Sequence, residues 1–150
     1  MKKEFLELAL KYAEKAYNIN EVPIGAIIVK NNKIIGYGYN QKEKNKSVLE
    51  HAELIAIQMA QKKCNNWRLT DCDMYVSLDP CPMCASAIKQ SRIKNVYSAL
   101  NNSDKTNLEI ITKIFEKDKT NPKVNFVSNL DVTSAQKILN SFFKKQRKDS

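Results

Sequence analysis

No apolar stretch in this sequence of 150 residues approaches the ~20 residues that a membrane-spanning helix needs. The chain opens with Lys2 and Lys3, but Glu7, Lys11 and Glu14 interrupt the stretch after them, so the apolar core of a secretion signal is missing too. Without an export signal the expected compartment is the cytoplasm. There the four cysteines stay reduced and read as metal ligands, catalytic groups or core thiols. Repeats, low-complexity tracts and long linkers are also lacking, which leaves residues 1–150 as one domain. A chain of this length buries a core without needing disulfides or a metal merely to fold. Arginine is scarce, with 3 residues against 22 lysines, while asparagine numbers 16. Such a bias matches a skew in base composition. The net charge of +9 therefore reads either as a solvated lysine-rich exterior or as a nucleic-acid footprint. Glycine occurs three times, at 25, 36 and 38. What remains, 43% hydrophobic and 27% charged, is globular composition.

Phe5, Leu6, Leu8, Ala9, Tyr12, Ala13, Ala16 and Tyr17 recur at helical spacing and predict a helix over 4–18. The β-branched run Ile24 to Val29, the turn Asn31-Asn32 and the extended stretch Ile34 to Tyr39 predict a hairpin. Gln41 to Ser47 reads as a polar loop. A helix is expected from His51 to Lys63, a strand at Met74 to Leu78 and a helix at Cys81 to Gln90. Then come a strand at Asn95–Ala99, a helix at Leu108–Phe115, a strand at Val124–Val127 and a last helix from Val132. This alternation predicts an α/β layered domain with helices on both faces of a central sheet, its later strands parallel.

The chain holds one histidine, in His51-Ala52-Glu53, and one close cysteine pair, in Pro80-Cys81-Pro82-Met83-Cys84. An imidazole and two thiolates form a three-ligand set for Zn²⁺, whose fourth position stays open in catalytic sites. Cys81 and Cys84 stand three apart at a helix start, where Pro82 suits the first helical position and the helix field favours thiolate. His51 and Glu53, two apart, do not share a helix face, so both reach one point only if the metal lies beyond the first turn. Two helix N-termini, near 51 and 81, are therefore expected to converge on the ion. Glu53 is then free to move the proton of the bound water. The pattern also admits blander readings. A CxxC alone suits redox chemistry, and a structural zinc site would want Cys64 or Cys72 as further ligands. The spacing of those two matches no ligand pair, and they read as buried or incidental thiols. H-x-E followed by P-C-x-x-C is the signature of zinc nucleobase deaminases.

Through these residues the sequence resembles the bacterial tRNA-specific adenosine deaminases of the cytidine deaminase superfamily. Glu21-Val22-Pro23-Ile24-Gly25-Ala26, Asn40, Trp67-Arg68-Leu69 and Ser91-Arg92-Ile93 look like that family's other blocks. Phe142-Phe143-Lys144 with Arg147 resembles its aromatic and basic C-terminal helix. The resemblance implies a three-layer α/β/α fold with a five-stranded mixed sheet, and one zinc ion per subunit held by His51, Cys81 and Cys84. It further implies a homodimer and deamination of adenosine to inosine at the wobble position of a tRNA anticodon stem-loop. Water activated at the zinc would attack C6 of the flipped adenine while Glu53 shuttles protons. Asn40, Phe142, Phe143, Lys144 and Arg147 are the implied substrate contacts. On physical grounds alone, Asn40 reads equally as a turn residue, and one Phe of the pair can instead pack the last helix. Three departures stand out. Asp79 replaces a glutamate, Val48-Leu49-Glu50 replaces small residues before the histidine, and 101–109 lacks glycines. The alternatives are a deaminase of a free guanine-type or cytosine-type base or nucleoside, and a structural zinc module that binds nucleic acid.

Overall fold

A computed structural model describes residues 1–149. Helix α1 (Lys3–Asn18) leads into strands β1 (Gly25–Lys30) and β2 (Lys33–Tyr39), followed by α2 (Ala52–Cys64) and β3 (Asp73–Val76). The chain continues through α3 (Pro82–Gln90), β4 (Asn95–Ser98), α4 (Lys105–Phe115), β5 (Asn125–Val127) and α5 (Val132–Asp149). The strands form one sheet in the order β2-β1-β3-β4-β5. β1 runs antiparallel to β2 and β3, whereas β3, β4 and β5 are parallel, so the sheet is mixed as expected. The hairpin turn is the expected one: Asn31 and Asn32 both take positive φ, 50° and 62°, as a two-residue turn of matching twist demands.

Alternation along the strands divides the core in two. Ala26, Ile28, Met74, Val76 and Val96 face α2, α3 and α4, while Ile27, Val29 and Tyr75 face α1 and α5. Three layers result. Gly36 and Gly38 lie on the α2 side of β2, against Ala52, Ala56 and Ala60 of the helix. A Cβ at Gly38 would collide with the Ala52 carbonyl and lie 2.9 Å from Ile55 Cβ. Small residues on both partners thus set α2 directly on the hairpin and fix where its first turn sits.

Two boundaries differ from the sequence expectation by more than one residue. β3 stops at Val76 instead of reaching Leu78, because Ser77 bends away: its N–H donates to Gly25 O at 3.0 Å and its Oγ accepts from Gly25 N–H at 3.1 Å. α4 begins at Lys105, not Leu108, because the Asp104 carboxylate caps it, accepting from the N–H groups of Thr106 and Asn107.

Candidate metal centre and active site

His51 and Cys81 occupy equivalent places. Each is the extended residue at the head of its helix, with φ/ψ of −84°/147° at His51 and −74°/169° at Cys81. Cys84 lies one turn further along α3, behind Pro82 at the first position. The two helix N-termini do converge: His51 Nδ1 lies 3.5 Å from Cys84 Sγ and 3.8 Å from Cys81 Sγ. All three donor atoms fall within 4.8 Å of one another, and among the described residues no other His, Cys, Asp or Glu group makes such a cluster. A tetrahedral zinc with bonds of about 2.3 Å to sulfur and about 2.05 Å to nitrogen sets N and S about 3.6 Å apart. The donor set fits zinc. Cys64 is half-buried and Cys72 buried, both free thiols outside the cluster, so neither supplies a fourth ligand.

Without a cation the two sulfurs compete for one charge. Hydrogen bonding from the Cys84 thiol holds Cys81 down to about 5, whereas the same bond, with burial, pushes Cys84 up. A dication between them would withdraw the proton from both.

Glu53, on the first turn of α2, is only 3% exposed. Burial lifts its carboxyl from the ordinary 4.5 to about 7. Its Oε1 is buried with no hydrogen-bond partner, an orphan acceptor beside the thiol pair. A buried acceptor left open costs free energy unless something fills the site, and water or a substrate nitrogen would satisfy it.

Asn40 settles at the head of α2. It is buried, and its Oδ1 accepts from Ala52 N–H at 3.0 Å, satisfying an amide the helix leaves open. Neither the turn reading nor the substrate reading of Asn40 anticipates that role, which needs residues twelve apart to meet.

Residues 1–100 match the family model described as the cytidine and deoxycytidylate deaminase zinc-binding region. The chain belongs to this deaminase family. Similar proteins include a tRNA-specific adenosine deaminase of Buchnera aphidicola, 40% identical over 146 residues that span 95% of this chain and 94% of the relative. A solved structure from a study of A-to-I editing by tRNA:A34 deaminases at the wobble position superposes with a TM-score of 0.84 at 33% identity, covering 92% of this chain and all of that one. A guanine deaminase of Bacillus subtilis matches with a TM-score of 0.67 at 31% identity, over 99% of this chain and 95% of the other.

In this deaminase the departures acquire physical form. Asp79 is buried; burial raises its carboxyl, and the Ser128 hydroxyl donates to Oδ1 at 2.5 Å. Its N–H donates to Leu100 O at 2.9 Å, so the loop before Cys81 is tied to the segments after β4 and β5. The glycine-poor stretch turns by other means. Asn101 and Asn102 accept from the N–H groups of Ser103 and Asp104, and Ser103 takes φ of 59°. Asn107 Nδ2, from α4, reaches Pro80 O at 3.4 Å. Val48 and Leu49 are exposed just ahead of Glu50 and His51.

The C-terminal helix divides its aromatic pair. Phe142 is 5% exposed and meets the Tyr17 ring of α1 at 6.3 Å, whereas Phe143 is 46% exposed. Phe142 thus packs the last helix onto α1, the alternative the sequence left open for one ring of the pair. Lys144 and Arg147 are exposed with Phe143.

Proposed function

We propose that this deaminase converts adenosine to inosine at the wobble position of a tRNA anticodon, as a cytoplasmic homodimer with one zinc ion per subunit. The observation that carries the reading is the meeting of His51 Nδ1 and two cysteine sulfurs beside the open, buried Oε1 of Glu53. The names of relatives that match 95–97% of the chain support the choice of substrate.

His51, Cys81 and Cys84 would hold zinc, which supplies Lewis-acid activation of water at neutral pH. The target base leaves its stack before reaction, because the reacting carbon is inaccessible in stacked RNA. Water adds at C6 of adenine. Glu53 takes the water proton on a carboxylate oxygen and delivers it to the ring nitrogen N1. On collapse it passes the second proton to the departing amine, so adenosine and water become inosine and ammonia. Burial suits Glu53 to this work, since it makes the carboxylate a better proton acceptor than one in water. Asn40 fixes the first turn of α2 through Oδ1 and leaves Nδ2 to donate to substrate. Phe143, Lys144 and Arg147 offer a stacking face and cations to the unpaired loop.

The deciding experiment incubates purified protein with an anticodon stem-loop carrying adenosine at the first anticodon position, and separately with free guanine. Inosine in the RNA, detected by mass spectrometry after nuclease digestion, is expected. The similarity to a guanine deaminase favours free purine as the second reading. Ammonia from guanine with no inosine in the RNA would put that reading first.

A further inference from the structure

Glu21 takes no part in the proton transfers assigned to Glu53, yet it is 3% exposed. Both oxygens of its carboxylate accept main-chain hydrogen bonds from across the fold, Oε1 from Glu43 N–H at 3.0 Å and Oε2 from Lys44 N–H at 2.8 Å. Those amides lead a compact turn in which Asn45 N–H donates to Gln41 O at 2.9 Å and Ser47 N–H to Lys42 O at 3.1 Å. A carboxylate at the open amides of such a turn stabilises it as an acidic cap stabilises a helix start. Gln41 N–H donates to Glu50 O at 3.0 Å and closes the base of the loop. Asn45 Nδ2 donates to Glu50 Oε1 at 3.2 Å and ties the loop's middle to its end. Segment 41–50 therefore hangs between Asn40 and His51 with a buried anchor behind it.

The loop presents Lys42, Lys44 and Lys46 to solvent, followed by Val48 and Leu49, the latter 58% exposed. Cations followed by apolar side chains suit an unpaired nucleic-acid strand, phosphates on the former and bases on the latter. We propose that Glu21 is a positioning residue that holds loop 41–50 as a preformed wall of the substrate entrance. This rests on the reading of tRNA as substrate. Preforming the loop removes the entropic cost of ordering it when RNA binds, so its effect falls on substrate affinity and not on proton transfer.

The test uses full-length, zinc-loaded Glu21→Ala, Glu21→Asp and Glu21→Gln. Alanine deletes both acceptors and aspartate falls short of the amides, whereas glutamine keeps one carbonyl oxygen at nearly the same reach and sets its NH2 against the other amide. On the stem-loop, Ala and Asp raise KM on the order of tenfold with kcat changed less than about threefold, and Gln recovers part of the loss. Native trypsin cleaves after Lys42, Lys44 and Lys46 several-fold faster in Ala and Asp than in wild type, with Gln between. Unchanged KM, or unchanged cleavage within the loop, overturns the proposal, as does a loss confined to kcat. If wild type deaminates no stem-loop, the tRNA reading has failed by itself, and the trypsin comparison still decides whether Glu21 holds the loop. If Ala does not fold, Asp against Gln decides the same question.

Discussion

Replacing Gly38 by alanine is expected to weaken zinc binding more than replacing Gly36, although both residues lie on one face of one strand beneath one helix. The added Cβ at Gly38 would stand 2.9 Å from Ile55 Cβ, 3.0 Å from Ala56 N and in collision with the Ala52 carbonyl. Carbon atoms settle at ~3.5–4.0 Å, so the first turn of α2 must retreat by roughly 1 Å. At Gly36 the Cβ would stand 3.0 Å from Ala60 Cβ and Ala60 N and collide with the Ala56 carbonyl. That pushes the second half of the helix. Overpacking of this kind costs ~1–3 kcal/mol in either variant, or roughly 3–10 °C of Tm for a chain of this size. The consequences for the site diverge, because a helix pushed at one end pivots about the other. His51 and Glu53 ride on the end that Gly38 displaces, and metal ligands tolerate only ~0.2 Å of misplacement. Competition against a fluorescent zinc chelator should show a loss of ~10–100-fold for Gly38→Ala and a clearly smaller one for Gly36→Ala, with similar falls in Tm. Wild-type zinc affinity in Gly38→Ala, or equal losses in the two, would refute the claim that this close approach sets the donor geometry.

Glu53→Gln should keep its zinc, measured by elemental analysis, and lose deamination by ~10²–10⁴-fold or more; full activity would end its role as the proton carrier. Phe142→Ala should lower stability by roughly 3 kcal/mol in urea melts, because its ring is buried against α1. Phe143→Ala should leave stability within ~0.5 kcal/mol and weaken stem-loop binding by ~1–3 kcal/mol; the reverse pattern would mean the helix is misassigned. Burial lifts the Cys72 thiol from 9.0 to about 11, so the folded chain keeps a proton that the unfolded chain releases. That contribution is complete below pH 9 and is lost as pH rises toward 11, by up to ~3 kcal/mol. Cys72→Ala should flatten the alkaline fall in urea midpoint, and an unchanged slope would assign it to other groups.

Periodicity and turn chemistry made most of the fold legible. Asn31-Asn32 announced its hairpin because asparagine tolerates the positive φ that such a turn requires. The same tolerance serves other turns of a chain with three glycines: Asn20, Asn65 and Asn129 also take positive φ, alongside Lys46, Asp71, Arg92 and Ser103. The metal cluster was legible because three soft or borderline donors in H-x-E and P-C-x-x-C spacing have few other uses. Asp104 was a readable cap signal, and following it would have started α4 correctly. The aromatic pair was readable as well. Ala135, Leu139 and Phe142 share one face at four- and three-residue steps, and adjacent residues on a helix point ~100° apart, so only one ring of the pair can be buried. Glu21, Asn40 and Asp79 were not legible in these roles, since each acts through a partner 12 to 49 positions away.

Those three residues share a logic that bears on the chemistry. Each satisfies backbone or side-chain groups next to a donor-bearing segment: Glu21 behind loop 41–50, Asn40 at the head of α2, Asp79 before Cys81. Of the three, Asn40 alone bonds a leading amide of a donor-bearing helix, while Asp79 and Glu21 tie the segments that lead into Cys81 and His51. Left loose, those segments would let the donors that follow them wander by more than a metal site allows. Polar groups outside the metal cluster therefore support its geometry. Among the described residues, Glu53 Oε1 is the one buried side-chain polar atom left without a partner, which the proposed proton carrier requires and a purely structural zinc clasp does not.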